Sequence, residues 1–369
     1  MTLVFTEDHK ALRESVRMFL SARSKESDVR RLMGAEPGFD AATWSAMARE
    51  LGVVGLAIPE EFGGTGASAV ELAVVFEEAG RALLCAPLLS TVALAATLLA
   101  KSRDAEAQRR YLPGIAAGEV VATVAVAEDD GVWDPAGVRT TAGPDQRGWA
   151  LSGVKSFVPD GAAAQLTLVV ASAPDGIGVF AVDSAAPGLA RQPLPALDQT
   201  RPLARIELDG TPASRIAQAD WTLVRRTLDE AAALLAAEQV GVAGRLLEMS
   251  VEYAKVRRQF GRAIGSFQVV KHKCADMLVS VEKSRAAAYH AVEAAAEDSP
   301  GLPIAAALAG AYCGPAASSV ANSAIQVHGG IGFTWEHPVH LYLKRAKGSE
   351  RLLGGPHHHR AVIAELTGA

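Results

Sequence analysis

The sequence predicts an α+β fold in three consecutive parts. These are an N-terminal helical domain over residues 1–120, a middle β-barrel or sheet domain over 121–215, and a C-terminal four-helix bundle over 216–369. Three observations carry the prediction. Apolar residues at both ends of the chain recur at helical spacing. The middle is cut by Gly, Pro and Asp into five short runs rich in β-branched residues. No long helical pattern separates those runs, so they predict an antiparallel sheet or small barrel and not a Rossmann unit.

The elements follow in order. Thr6-Glu7-Asp8 is a helix-start signal, and Leu12, Val16, Phe19 and Leu20 follow at helical spacing. Residues 51–66, LGVVGLAIPEEFGGTG, break the helical pattern, which resumes at Ala69. The apolar stretch 83–100 comes nearest to a membrane span. Pro87 interrupts it and Arg81 and Lys101 flank it, so it reads as a buried helix, and no membrane span is expected. The five middle runs are VVATVAVAE, GWALSGVKSFV, QLTLVVASA, GIGVFAVD and LARIELDG. Ala173-Pro174-Asp175-Gly176 between two of them predicts a hairpin turn. From Asp220 onward Leu228, Ala232, Leu235, Val242, Leu246, Met249 and Tyr253 mark one face of a long helix. Further helices are predicted over 267–297, over 303–327 and from 339 onward.

Composition bounds the function. A hydrophobic content of 49% against 21% charged residues supports a large core and excludes global disorder. The formal net charge of -5 argues against nucleic acid as a partner. Cys85, Cys274 and Cys313 show no CxxC or Cys/His spacing, so neither a disulfide framework nor a metal site is expected. His357-His358-His359 lacks carboxylate or Cys partners at useful spacing and reads as surface or subunit-contact histidines. The opening MTLVFTEDHK is acidic early and has no long apolar run, which predicts no signal peptide and a cytoplasmic protein.

Two segments carry chemistry. Residues 253–277 read YAKVRRQFGRAIGSFQVVKHKCADM. Arg257 can neutralise a pyrophosphate with a planar fork, Phe260 offers a flat apolar wall, and Gly261 permits a tight turn. Residues 326–338 read QVHGGIGFTWEHP, where adjacent glycines let backbone N–H groups face a phosphate or ribose. A GxGxxG fingerprint after a strand is absent from the sequence. The pattern Arg-x-x-Phe-Gly, then Ile-x-x-Phe-Gln, then Ala-Asp-Met, followed by Gln-x-x-Gly-Gly-x-Gly-Phe, resembles the acyl-CoA dehydrogenases. Gly55-Leu56, Pro59-Glu60, Gly63-Gly64, Gly66, Leu112-Pro113-Gly114 and Gly118-Glu119 extend the resemblance over essentially the whole chain. It implies FAD as cofactor, contacted by Arg257, Phe260 and Gln268. It further implies that Gln326, Gly329 and Gly330 bind the FAD of a neighbouring subunit.

The sequence also departs from that family. Desaturation needs a carboxylate to remove the α proton. At the family's C-terminal base position, aligned on Arg345-Ala346-Lys347, stands Leu353, and at the alternative position, counted back from Phe260, stands Ala231. The family's neighbouring positive residue falls at Ala232. Glu230, Glu238 and Glu350 are the remaining weak candidates for a base, each also readable as a structural glutamate. Glu336 matches a family glutamate that is not the base and reads as ordering a helix start. The family's Thr-Glu-Pro-x-x-Gly-Ser-Asp loop becomes residues 127–134, and its Trp-Ile-Thr becomes Phe157-Val158-Pro159, which loses a hydroxyl donor to the flavin.

The resemblance therefore implies α,β-desaturation of an acyl-CoA thioester, with the catalytic base supplied by a homologous partner subunit in an α2β2 assembly. Three alternatives remain open on sequence. They are a self-sufficient homo-oligomer with an atypical base, a non-catalytic scaffold subunit, and a flavin oxidase or oxygenase on the same fold. Small Ala231 and Ala232 suggest room for a bulky or polycyclic acyl group.

Overall fold

A computed structural model describes residues 5–145 and 148–368. The first four residues of the stretch expected to lack a signal peptide lie outside the described residues. In chain order the described helices begin with α1 (Glu7–Arg23), α2 (Glu26–Leu32), α3 (Ala41–Arg49), α4 (Ala69–Arg81), α5 (Thr97–Lys101) and α6 (Ala105–Ala116). The sheet strands are β1 (Ala122–Ala125), β2 (Thr141–Asp145), β3 (Gly148–Pro159), β4 (Leu166–Ala173), β5 (Gly176–Asp183), β6 (Leu189–Leu194) and β7 (Leu203–Arg215). The long α7 (Trp221–Val256) leads through a small hairpin, β8 (Arg258–Gln259) and β9 (Arg262–Ala263). Then come α8 (Gln268–Ala296), α9 (Leu302–His328), α10 (Val339–Ser349) and α11 (Gly355–Thr367). The helical, β, helical order is the one the sequence predicts.

The chain divides into two compact units. One comprises residues 1–30, 69–84 and 232–369, the other residues 31–68 and 85–231. In the second unit β2, β3, β7, β5 and β4 pair in a ring that closes through one pair, Thr141 with Ser172. Leu151, Val158, Val169, Phe180, Val182 and Ile206 fill its core. The expected hairpin is present, with Ala173 opposite Gly176 across Pro174-Asp175. The sheet is not wholly antiparallel: β1 runs parallel to β4. Thr91 closes the other side of β1 by accepting from the Ala122 amide and donating to the Ala122 carbonyl.

Two strands escape the sequence pattern. β2 reads TAGPD and β6 reads LARQPL, each with a proline and without alternating apolar residues. Both are largely solvated. Pairing with β3 and β7 forms them, not burial of an apolar face. The stretch expected as a buried helix is buried, and Leu88–Ala96 winds as a wide π-helix before α5. Leu302–Phe333 is long and apolar enough to cross a membrane by length and composition alone, with 56% of its apolar window buried. α9 supplies most of it and packs against α8, α10 and α11, as the central helix of a bundle does.

In the first unit Thr6 caps α1 as expected, accepting from the His9 amide. The part of α7 around 230–243 is buried on every side, so the single face predicted for it is too narrow. Alanines and Gly241 permit this. A Cβ on Gly241 would overlap the Glu77 carbonyl oxygen, and one on Gly80 would overlap the Glu238 carbonyl oxygen. α4 and α7 therefore touch backbone to backbone. Beside this crossing Glu77 binds Arg13 at 2.9 Å, Tyr289 at 2.5 Å and also Arg285. Glu78 takes both nitrogens of Arg17, at 2.6 and 2.8 Å. Burial alone would raise the Glu77 pKa, but Arg285 and Arg13 hold it below the usual carboxylate range.

Gly241→Ala should lower stability by about 3 kcal/mol through overpacking. Gly244→Ala, three residues on in the same helix and facing open space, should raise it by about 0.5–1 kcal/mol. Urea melts of both variants check this pair of opposite signs.

Candidate functional site

The hairpin after α7 presents the first predicted residues. Phe260 and Gly261 both have positive φ, at 52° and 77°, as a two-residue turn between twisted strands requires. Phe260 sits at the tip and is 90% exposed. Its ring meets Phe267 edge to face at 6.0 Å. Arg257 precedes the hairpin, and its carbonyl accepts from the Ile264 amide at 2.8 Å. At the end of α9, Gly329 stops the helix with φ 64°.

These segments form one wall. A cleft of about 540 Å³ is lined by Arg257, Gly329 and Gly330 together with Tyr253, Gln259, Ile264, His328, Thr334 and Glu336. Phe260, Gln268 and Gln326 are exposed but do not line it. Tyr253, which the helical spacing assigns to a buried face, is instead half-exposed and stacks on His328 at 4.6 Å. Glu336 does not cap α10. His337 accepts from the Val339 amide there, and Glu336 lines the cleft. His328 lies inside the QVHGG phrase, where the sequence pattern draws attention to the glycines and not to it.

The cleft fits the adenosine diphosphate end of FAD on three observations. The exposed Arg257 side chain has no ion-pair partner among the described residues. Nothing stands where a Cβ on Gly329 or Gly330 would project. The buried Nε2 of His328 has no hydrogen-bond partner among the described residues. An unpaired cation, open backbone and an unmet acceptor are what a nucleotide diphosphate uses.

The base positions look different. Leu353 is 3% exposed and held at φ 55°, ψ 35°, a left-handed conformation unusual for leucine. With Ala232, Leu235, Gly310, Glu350 and His359 it borders a space of about 10 Å³. The room that a small Ala232 suggests is therefore filled on this side. Ala231 is fully buried.

Each candidate carboxylate is committed elsewhere. Glu238 is buried against Arg345 at 3.0 Å, and Arg345 also donates to the Leu84 carbonyl. Glu350 accepts from Ser318 at 2.5 Å and pairs with Lys347 at 3.3 Å. Burial pushes its pKa up, but Ser318 and Lys347 outweigh burial and hold it below the ordinary value. Glu230 binds Lys101 and Arg226, each at 3.1 Å, and burial outweighs both cations to leave its pKa raised.

The sheet side has turned inward too. Glu128 accepts from the Arg139 and Thr140 amides and from Lys155, whose ammonium is buried. Phe157 bulges out of β3 at φ 56°, where the register with β7 shifts. Pro159 ends the strand, and its carbonyl accepts from Thr123 at 2.7 Å.

The histidine run is not all surface. His357 is exposed, but His359 is buried with its ring where a Cβ on Gly310 would stand. Among the described residues no group of three or more His, Cys, Asp or Glu is placed to hold a metal ion. Cys85, Cys274 and Cys313 form no disulfide.

Comparison with known proteins gives concordant results. Residues 6–119, 123–210 and 221–367 match the models for the acyl-CoA dehydrogenase N-terminal, middle and C-terminal domains. The acyl-CoA dehydrogenase IpdE2 of Mycolicibacterium smegmatis is 35% identical over 351 residues, 95% of this chain and 96% of the relative. The ChsE4–ChsE5 complex from Mycobacterium tuberculosis superposes with a TM-score of 0.92 at 31% identity, covering 100% of both chains. A variant of the Tcur3481–Tcur3483 steroid ACAD gives 0.90 at 33% identity, covering 98% of both.

The His359 environment has a pH signature. Burial pushes its pKa down from 6.5 to about 4. The unfolded chain therefore takes up the proton first. The neutral ring's stabilisation is complete above about pH 6.5 and is lost as pH falls toward 4. The loss is on the order of 3 kcal/mol. Thermal midpoints across that window should fall less steeply in His359→Gln than in the unsubstituted protein.

Proposed function

The chain belongs to the acyl-CoA dehydrogenase family of flavoprotein oxidoreductases acting on CH–CH bonds, and from that premise we propose that it is the base-lacking subunit of a hetero-oligomeric enzyme. In this reading it holds FAD, while a homologous partner carrying a glutamate removes the α proton of an acyl-CoA thioester. Bound FAD supplies the acceptor for the β hydride. Arg257 neutralises the pyrophosphate, and Gly329 and Gly330 let backbone approach it. Phe260, Gln268 and Gln326 face outward, as residues that reach a cofactor shared with another chain must.

Leu353 is the observation that carries the reading. Its side chain can neither accept nor hold a proton, and together with His359 it leaves no room beside Ala232. The carboxylates nearest the base positions are tied to Arg345, Ser318, Lys347, Lys101 and Arg226. Moving Glu238 or Glu350 to a substrate would strand a buried cation or hydroxyl. The similarity to the ChsE4–ChsE5 complex supports a partnered enzyme. The similarity to a steroid ACAD supports a bulky, steroid-type acyl group, which in this reading lodges in the partner.

The test is expression of the chain alone and together with a homologous subunit that carries the glutamate. Alone and supplied with FAD, it should desaturate acyl-CoA thioesters at less than about one-hundredth of the rate of the assembled pair. Replacing the partner's glutamate by glutamine should abolish the paired activity. Glu230→Gln and Glu350→Gln in this chain should leave kcat within about threefold, since neither is the base. Full activity from the chain alone, or loss of activity in either variant with assembly intact, contradicts the reading.

A further inference from the structure

His328 carries an atom that the fold does not use. Its Nδ1 lies 2.8 Å from the Ala324 carbonyl, which can only accept, so Nδ1 bears the ring proton. Nε2 is then an acceptor, buried and without a partner among the described residues. Native proteins rarely leave such an atom unmet without a reason. The ring is not free to swing away: Tyr253 stacks on it with 25° between the planes, and His337 leans on it at 4.5 Å. Burial also pushes its pKa down, which keeps the ring neutral and able to accept.

The position of this atom is informative. His328 shares the cleft wall with Arg257, Gly329 and Gly330. Arg257 suits a diphosphate but cannot distinguish one nucleobase from another. A fixed, neutral acceptor can, because an exocyclic amine donates to it and an exocyclic carbonyl repels it.

We propose that Nε2 of His328 accepts a hydrogen bond from the exocyclic amine of an adenine held in this cleft, making His328 the residue that selects adenine. The half-exposed His337 ring is the cover that moves aside when the amine arrives. The inference rests on the reading of the cleft as the FAD-holding site and adds to it which end of the cofactor meets which wall.

The test titrates the full-length chain, in whatever assembly it forms, with ADP and with inosine diphosphate, in which a carbonyl replaces the amine. Isothermal titration calorimetry should show ADP bound about tenfold more tightly. His328→Leu should erase that preference by weakening ADP and relieving the repulsion of inosine diphosphate. His328→Gln, whose amide oxygen can accept, should keep part of it. Arg257→Ala should weaken both ligands equally. Equal affinities in the unsubstituted chain, or an undiminished preference in His328→Leu, overturn the role of His328 and leave the cofactor reading standing if Arg257→Ala still acts. Failure of both nucleotides to bind overturns both. Should His328→Leu not fold, as judged by circular dichroism, the ratio of affinities in the unsubstituted chain still decides.

Discussion

The first unit depends on the close approach of α4 and α7. Gly80 and Gly241 let two helices meet at their carbonyls, and no other residue type fits at either position. This contact puts Glu77 on one helix and Glu238 on the other into the interior, where a charge is tolerated only if it is paired. The pairing partners then come from far along the chain. Arg13 on α1 and Arg285 and Tyr289 on α8 converge on Glu77, while Arg345 on α10 reaches Glu238. One glycine crossing thus draws five helices into two buried charge clusters.

In the proposed reading, such pairing accounts for the missing base. Glu238 is a carboxylate on the right helix, but it is paired with the buried guanidinium of Arg345. Taking up a proton would unbalance Arg345. Glu350 and Glu230 are bound in the same manner by nearer neighbours. The cleft and the Leu353 region belong to the same unit yet share no lining residue. Loss of the proton-removing group and closure of the space around it can therefore coexist with an intact nucleotide cleft. In the proposed reading, holding a cofactor and removing a proton are separable because different residues would serve each.

Much of this was legible in the residues. Helical spacing places α1, α4, α8 and α9, and the Arg257 turn and glycine pair mark the wall of one cleft. The failures have physical causes. β2 and β6 carry proline and solvated side chains, so no alternation reveals them. The middle of α7 is buried all round because alanine and glycine let neighbours approach from every side, and a one-face pattern misses that. Glu238 looks available in sequence because its partner lies on another helix, 107 residues away. His328 looks incidental because neither burial nor an unmet nitrogen is visible from residue type. His359 looks like surface until Gly310 is seen to make room for its ring.

Proton removal can be watched without turnover. An acyl-CoA thioester incubated in D2O with the FAD-loaded chain alone exchanges its α hydrogen only if a base within the chain reaches it. The account predicts no α-deuterium above the solvent background, and exchange that appears when the glutamate-bearing partner is added. Rapid α exchange with this chain alone would contradict the claim that it lacks the base.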